Sequence, residues 1–196
     1  KPGIPLSQTE ITNLCYDAKR AHRVKAEDSA NLGTLAHEWF ENYMSGENPS
    51  TPVDRDLRNI TDAFLRFVQS HDIRPLALEK KLYSRSLNVA GTCDLICNFE
   101  GNLTILDYKT SATIYGESFI QLGGYHLCYS EEKEFETGIR PEIKKHVIIN
   151  CTKQGELNIG ISDKVERNIK TFKAALTLFN ELENINKELK SLITKF

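Results

Sequence analysis

The sequence lacks the features of a membrane protein, a disulfide-stabilised scaffold and a repeat protein. No apolar run approaches the ~18–20 residues that a membrane-spanning helix requires, and residues 1–10 contain no apolar core of a signal peptide. The five cysteines include no CxxC pair, and no internal repeat or low-complexity tract is present. We therefore expect reduced thiols in a reducing, cytoplasmic compartment and no membrane partner. A mitochondrial location stays open, because the only methionine is Met44 and a targeting segment could have been removed.

The sequence also has no excess of basic charge. It contains 25 Lys and Arg residues and 27 Asp and Glu residues, which gives a net charge of −2. A protein that coats nucleic acid by displacing counterions is usually basic. The charge balance therefore argues against a passive DNA-coating role, but it does not exclude an enzyme that binds phosphates locally.

The length and hydropathy pattern predict one globular domain over residues 1–196. Residues 1–72 predict a helical N-terminal layer, with helices at 6–24, 35–44 and 53–71 and a loop at 25–29. Residues 73–196 predict strands at 75–83, 87–99, 103–109, 146–151 and 156–161, and helices at 117–130 and from 165 onward. This order predicts a mixed α/β or α+β domain. We expect the last, long helix to pack on the sheet rather than on a second chain.

Two aspartates on neighbouring predicted strands suggest a metal site. If residues 100–101 form a two-residue hairpin turn, paired residue numbers sum to 201 and Asp94 lies opposite Asp107. Opposed side chains have Cβ atoms about 4.5–5.5 Å apart, so the two carboxylates repel unless they share a proton or a cation. Mg²⁺ or Mn²⁺ is the natural cation for such oxygen ligands. Alternatively, Asp94 belongs to a turn, and Asp107 and Lys109, on one strand face, form a plain surface ion pair.

Four short motifs surround these residues in a fixed order: GTxxH ending at His37, GTxD ending at Asp94, DYKTS beginning at Asp107, and QLxxY from Gln121 to Tyr125. In this order the sequence resembles the RecB-like or Cas4-like branch of the PD-(D/E)xK nuclease superfamily. That branch includes nuclease domains of recombination helicases and small phage and mitochondrial single-strand exonucleases. The resemblance covers about residues 33–129.

The resemblance implies a restriction-endonuclease-like α/β core: a mixed central sheet flanked by helices, with an N-terminal helical layer and a long C-terminal helix. It also implies roles for individual residues. Metal ligands would be Asp94, Asp107, His37 and the backbone carbonyl of Tyr108; Lys109 would be the catalytic lysine; Gln121 and Tyr125 would support the site and the bound strand; Glu79 is a further candidate on the preceding strand.

The implied activity is that of a metal-dependent DNA exonuclease that uses Mg²⁺ or Mn²⁺. It would act on single-stranded DNA or on strand ends and release 5′-phosphate products, in a bacterial, archaeal or phage-infected cell. A catalytically weak nucleic-acid-binding or scaffold module, an endonuclease and an RNA-directed nuclease stay open as alternatives. No GxxxxGK[ST] motif is present, so strand separation would need a helicase or another replication or recombination protein as partner.

Some members of this branch hold an iron–sulfur cluster with one early cysteine and a tight C-terminal group of three. Cys15 could serve as the early ligand, but Cys128 and Cys151 are too few and too far apart to complete four ligands. We therefore expect no iron–sulfur cluster.

Overall fold

The structure is a computed structural model that describes residues 7–192, without the side chains of residues 17–26 and 191. Its helices and strands, in chain order, are α1 Gln8–Met44, α2 Arg55–Ser70, β1 Ile73–Ser84, β2 Val89–Phe99, β3 Asn102–Lys109, α3 Gly116–Thr137, β4 Lys145–Cys151, β5 Leu157–Ser162 and α4 Val165–Leu192. No helix of the described residues combines the length and apolar character needed to cross a membrane.

The five strands form one mixed sheet in the order β1-β2-β3-β4-β5. All neighbours pair antiparallel except β3 and β4, which are parallel. Parallel neighbours need a long crossover connection, and α3 lies within that connection. Helices flank this sheet, so the predicted restriction-endonuclease-like α/β fold with a long C-terminal helix is confirmed.

An aromatic core packs α1 and α2 against one face of the sheet. Phe40 of α1 stacks on Phe64 of α2 with ring centroids 4.1 Å apart, and both rings contact the side chain of Tyr108 from β3. All three side chains are almost completely buried. Burial of large aromatic rings contributes strongly to stability, so this cluster fixes α1 relative to the centre of the sheet.

A second core lies on the opposite face, under α3. Leu122 and Cys128 of α3 pack there against Ile105 and Ile148 of the central strands. Gly123 lets α3 pack closely on α4, because a Cβ atom on Gly123 would lie 2.5 Å from the carbonyl oxygen of Asn168 in α4. Only glycine allows the two helix backbones to approach this closely.

The N-terminal helices differ from the prediction. Residues 8–44 form one continuous helix of 37 residues, about 55 Å long, so the predicted loop at 25–29 is wrong. The polar residues there indicated a loop, but residues 8–32 contain no proline or glycine to end the helix. A capping box between Ser7 and Glu10 begins the helix.

The C-terminal helix also differs from the prediction. α4 packs on α3 rather than on the sheet, because α3 already covers that sheet face. The outer half of α4 leaves six apolar side chains about half exposed or more. These side chains are Leu178, Phe179, Leu182, Ile185, Leu189 and Leu192.

Candidate active site

The β2–β3 hairpin has the predicted register. Its turn residues Glu100 and Gly101 both have positive φ angles, 49° and 76°, as a two-residue type I′ turn requires. The pairs Leu95–Leu106 and Ile96–Ile105 follow, and both sum to 201. Asp94 lies just beyond this ladder, where its Oδ2 accepts a 2.7 Å hydrogen bond from the backbone N–H of Tyr108.

The two aspartates form a buried, electrostatically strained pair. Asp94 is 8% exposed and Asp107 is 2% exposed. Burial raises the pKa of each carboxyl to about 6, and the charge of Asp94 further raises the pKa of Asp107. Nζ of Lys109 lies 2.5 Å from Oδ2 of Asp107. This ion pair lowers the pKa of Asp107, against the effects of burial and of Asp94.

His37 of α1 and Glu79 of β1 approach the same carboxylates. Nδ1 of His37 lies 3.5 Å from Oδ2 of Asp94, and one ligand atom each of His37, Glu79 and Asp94 lies within 4.8 Å of the other two. Burial lowers the pKa of His37, which favours the neutral imidazole that binds metals. Burial and the charge of Asp94 raise the pKa of Glu79. Asp107 is not a member of this group of three.

This donor set fits a divalent metal ion. One imidazole nitrogen and two carboxylates are ligands that Mn²⁺ accepts, and the oxygen donors also suit Mg²⁺. Burial raises the pKa of both Asp94 and Asp107, and the charge of Asp94 adds to the rise at Asp107; a bound cation would offset both effects.

The backbone of Glu79 is strained at this site. Its φ angle is +41°, a left-handed conformation that disfavours residues with a side chain and costs about 1–3 kcal/mol. Its neighbours Leu78 and Lys80 pair with Leu95 and Cys93, which places Glu79 across from Asp94. Such strain is concentrated at functional sites, where the surrounding structure maintains it.

Gln121 and Tyr125 of α3 connect to the lysine. Nζ of Lys109 donates to Oε1 of Gln121 at 3.3 Å, and Nε2 of Gln121 donates to the hydroxyl of Tyr125 at 2.7 Å. Gly91 leaves the space for the tyrosine ring, since a Cβ atom there would lie 2.7 Å from it. The polar chain from Asp107 through Lys109 to Tyr125 is therefore continuous.

The backbone and the side chain of Tyr108 have different roles. Its backbone N–H holds Asp94, whereas its ring is buried in the aromatic core on the other face of the sheet. The ligand role of its carbonyl oxygen stays a prediction.

Two further residues at the site were not predicted from the sequence. Glu41 lies one turn after His37 on α1 and is close enough to raise the pKa of Glu79; its i,i+4 spacing from His37 was a usable signal. Asn150 of β4 is the register partner of Lys109. It is fully buried, and neither atom of its amide bonds to a described residue. The signal in the sequence that could have indicated Asn150 is a lone asparagine within an apolar strand.

Comparison with known proteins identifies the family. The model of the PD-(D/E)XK nuclease superfamily matches residues 52–195, a segment that contains every candidate site residue except those on α1. No curated protein matches the sequence.

Proposed function

Because this chain belongs to the PD-(D/E)XK nuclease superfamily, we propose that it is a RecB-like DNA exonuclease that acts on single strands or free strand ends. Membership of the superfamily makes it a nuclease, with a nucleic-acid substrate and a divalent metal cofactor. The branch, the DNA specificity, the attack at ends and the 5′-phosphate products are the proposed part. The observation that carries the proposal is the ion pair of Lys109 with Asp107 beside Asp94.

Two contacts support the RecB-like branch. His37, from the first of the four motifs, lies 3.5 Å from Asp94 of the second. Gln121, from the last motif, accepts a hydrogen bond from Lys109 of the third. Residues that the resemblance assigns to one active site are therefore adjacent, although the motifs are distant in sequence.

We assign the metal to His37, Glu79 and Asp94, with Asp107 beside them. A divalent ion bound there would lower the pKa of a water molecule and offset the negative charge of the scissile phosphate. Lys109 lies between Asp107 and Gln121, which keeps its ammonium group directed at the site.

The lysine can therefore stabilise the negative charge that develops on the phosphate during attack. The 3′-oxygen then leaves, and the product strand carries a 5′-phosphate.

Substitution of Lys109→Ala tests this assignment. We expect a loss of cleavage of roughly 10²–10³-fold, the typical effect of removing one preorganised charge donor, with an unchanged circular dichroism spectrum. Lys187→Ala, on the exposed outer half of α4, is the matched control and should cleave like the wild type. Equal activity of Lys109→Ala and the wild type would refute the catalytic role of the lysine.

A substrate panel separates the alternatives. Oligonucleotides of DNA and RNA, labelled at either end and offered with Mg²⁺ or Mn²⁺, report substrate class and polarity. A linear single strand that is degraded while its circular form survives supports an exonuclease, whereas cutting of the circle indicates an endonuclease. Absence of cleavage on every substrate with either ion would favour the catalytically weak binding module.

A further inference from the structure

Two clefts of opposite charge flank His37. One cleft, of about 390 Å³, is lined by His37 together with Glu38, Glu41 and Glu79; we call it the acidic cleft. The other, of about 570 Å³, has Lys109, Thr110 and Lys153 in its wall; we call it the basic cleft. His37 borders both clefts, whereas Glu79 borders only the acidic one, so the candidate metal site lies where the acidic cleft meets the basic cleft.

The topology of the sheet places Lys153 in the basic cleft. β3 ends at Lys109 and its parallel neighbour β4 ends at Cys151, so the carboxyl ends of both strands meet at one edge of the sheet. Lys153 follows β4 by two residues, which brings a second lysine to the edge where Lys109 lies. Ligands of sheets with parallel strands commonly bind at such an edge.

The backbone of Lys153 is fixed, whereas its side chain is available. Its carbonyl oxygen accepts a 2.8 Å hydrogen bond from Nδ2 of Asn59 in α2, and the turn is closed by a 2.8 Å bond from Gly155 N–H to the carbonyl of Thr152. The Lys153 side chain is exposed. Asp28, Asp54 and Asp56 border a depression on its other side, but no carboxylate among the described side chains forms an ion pair with its ammonium group.

We propose that the basic cleft binds the sugar–phosphate backbone of the substrate strand and that Lys153 contacts one of its phosphates. This inference rests on the proposed function, because it takes the scissile phosphate to lie at Asp94 and Lys109. Lysines attract the phosphate chain, whereas Glu38 and Glu41, the glutamates of the acidic cleft that are not assigned to the metal, repel it. The strand therefore leaves the site on one side only. A strand that continues on one side only has its terminus near the site, which is the arrangement that an exonuclease needs.

Binding without cleavage tests the role of Lys153. In EDTA, the affinity of a short fluorescent oligo-dT strand is measured by anisotropy over a range of salt concentrations. We expect Lys153→Ala to weaken binding about fivefold, the effect of one exposed charge pair. We also expect the slope of log K against log [salt] to become shallower by about 0.7, as loss of one single-strand phosphate contact predicts. Lys187→Ala should retain both values, and Lys153→Arg should restore them.

Cleavage by the same variants separates this inference from the proposed function. If the wild type degrades DNA and Lys153→Ala raises KM with little change in kcat, both stand. If the wild type degrades DNA but Lys153→Ala keeps its KM, affinity and salt slope, the role of Lys153 is refuted and the nuclease assignment is unaffected. If no metal supports cleavage but Lys153→Ala still weakens binding with the shallower slope, the proposed function fails and the phosphate-binding role of the cleft stands.

Discussion

Replacement of Asp107 by asparagine should stabilise the metal-free protein and weaken its response to metal. The carboxyl of Asp107 has a pKa of about 6 in the folded chain because of burial and the charge of Asp94. An unfolded aspartate has a pKa of about 4, so the difference of about two units corresponds to about 3 kcal/mol at neutral pH. Asparagine keeps the shape of the side chain and removes the charge.

The attraction of Lys109 is already part of this balance, because it lowers the pKa of Asp107 against the effects of burial and of Asp94. The expected gain therefore stays at about 3 kcal/mol in the free energy of unfolding. For a chain of this size that gain raises Tm by about 6–12 °C.

The sign of the pH dependence follows from the raised pKa. A carboxyl whose pKa is higher in the folded chain stabilises the fold while it is protonated, and that stability is lost as the pH rises through about 6. In the wild type, this carboxyl therefore destabilises the metal-free fold most above pH ~7. The advantage of Asp107→Asn should consequently be small near pH ~4 and complete above pH ~7.

Thermal unfolding followed by circular dichroism measures this effect, in EDTA and with added Mn²⁺. Mn²⁺ should raise the Tm of the wild type, because an ion that binds only the folded state stabilises it, and it should raise the Tm of Asp107→Asn much less. Asp62→Asn, an exposed aspartate on α2, is the matched control and should change neither quantity. A variant that is less stable than the wild type in EDTA at neutral pH, and that responds fully to Mn²⁺, would refute the reasoning.

Two further predictions concern the helices around the sheet. Gly123→Ala should reduce the free energy of unfolding by about 1–3 kcal/mol, because its new Cβ would lie 2.5 Å from the carbonyl oxygen of Asn168. Gly116→Ala is the control and should not reduce it, because a Cβ atom there has no neighbour within 4 Å. Equal urea midpoints of the two variants would contradict this prediction. Burial lowers the pKa of His126 to about 4 and that of His146 to about 3, and the two rings share a 3.0 Å hydrogen bond. Unfolded histidine binds a proton near pH ~6.5, whereas the folded pair resists protonation, so the pair should destabilise the fold as the pH falls from ~6.5 toward ~4. The urea midpoint of His126→Gln should therefore depend less on pH over that range than the midpoint of the wild type. Identical pH profiles of the two proteins would contradict the assignment.

The hairpin of the candidate site could be predicted from sequence because its determinants are local. Gly101 allows a turn with positive φ, the two-residue turn sets the register, and the alternation of side chains along a strand then fixes which of them share a face. Together these features predict that Asp94 and Asp107 lie near one another. The order of the four motifs then related His37, Gln121 and Tyr125 to the same site by resemblance.

Other features could not be predicted because they depend on tertiary packing. The left-handed backbone of Glu79 has no signal in its sequence, since glutamate ordinarily avoids this conformation. The polar segment near residue 28 is helical because nothing in it ends the helix, and hydropathy alone does not distinguish such a segment from a loop. The apolar stripe of α4 predicted a covered helix, yet α3 already occupies the sheet face that it would cover.

The position of α1 links the aromatic core to the chemistry of the site. The superfamily match begins at residue 52, so it does not include α1, although α1 supplies His37. Phe40, one turn from His37, is held by Phe64 and by the ring of Tyr108, whose centroids lie 4.1 Å and 5.1 Å away. The backbone N–H of the same Tyr108 donates to Asp94. One residue of β3 therefore fixes both the carboxylate and, through core packing, the helix that carries the histidine. The ring of His37 also packs edge-on against the ring of Tyr108, with centroids 6.0 Å apart, so aromatic packing around Tyr108 helps to set the His37–Asp94 distance.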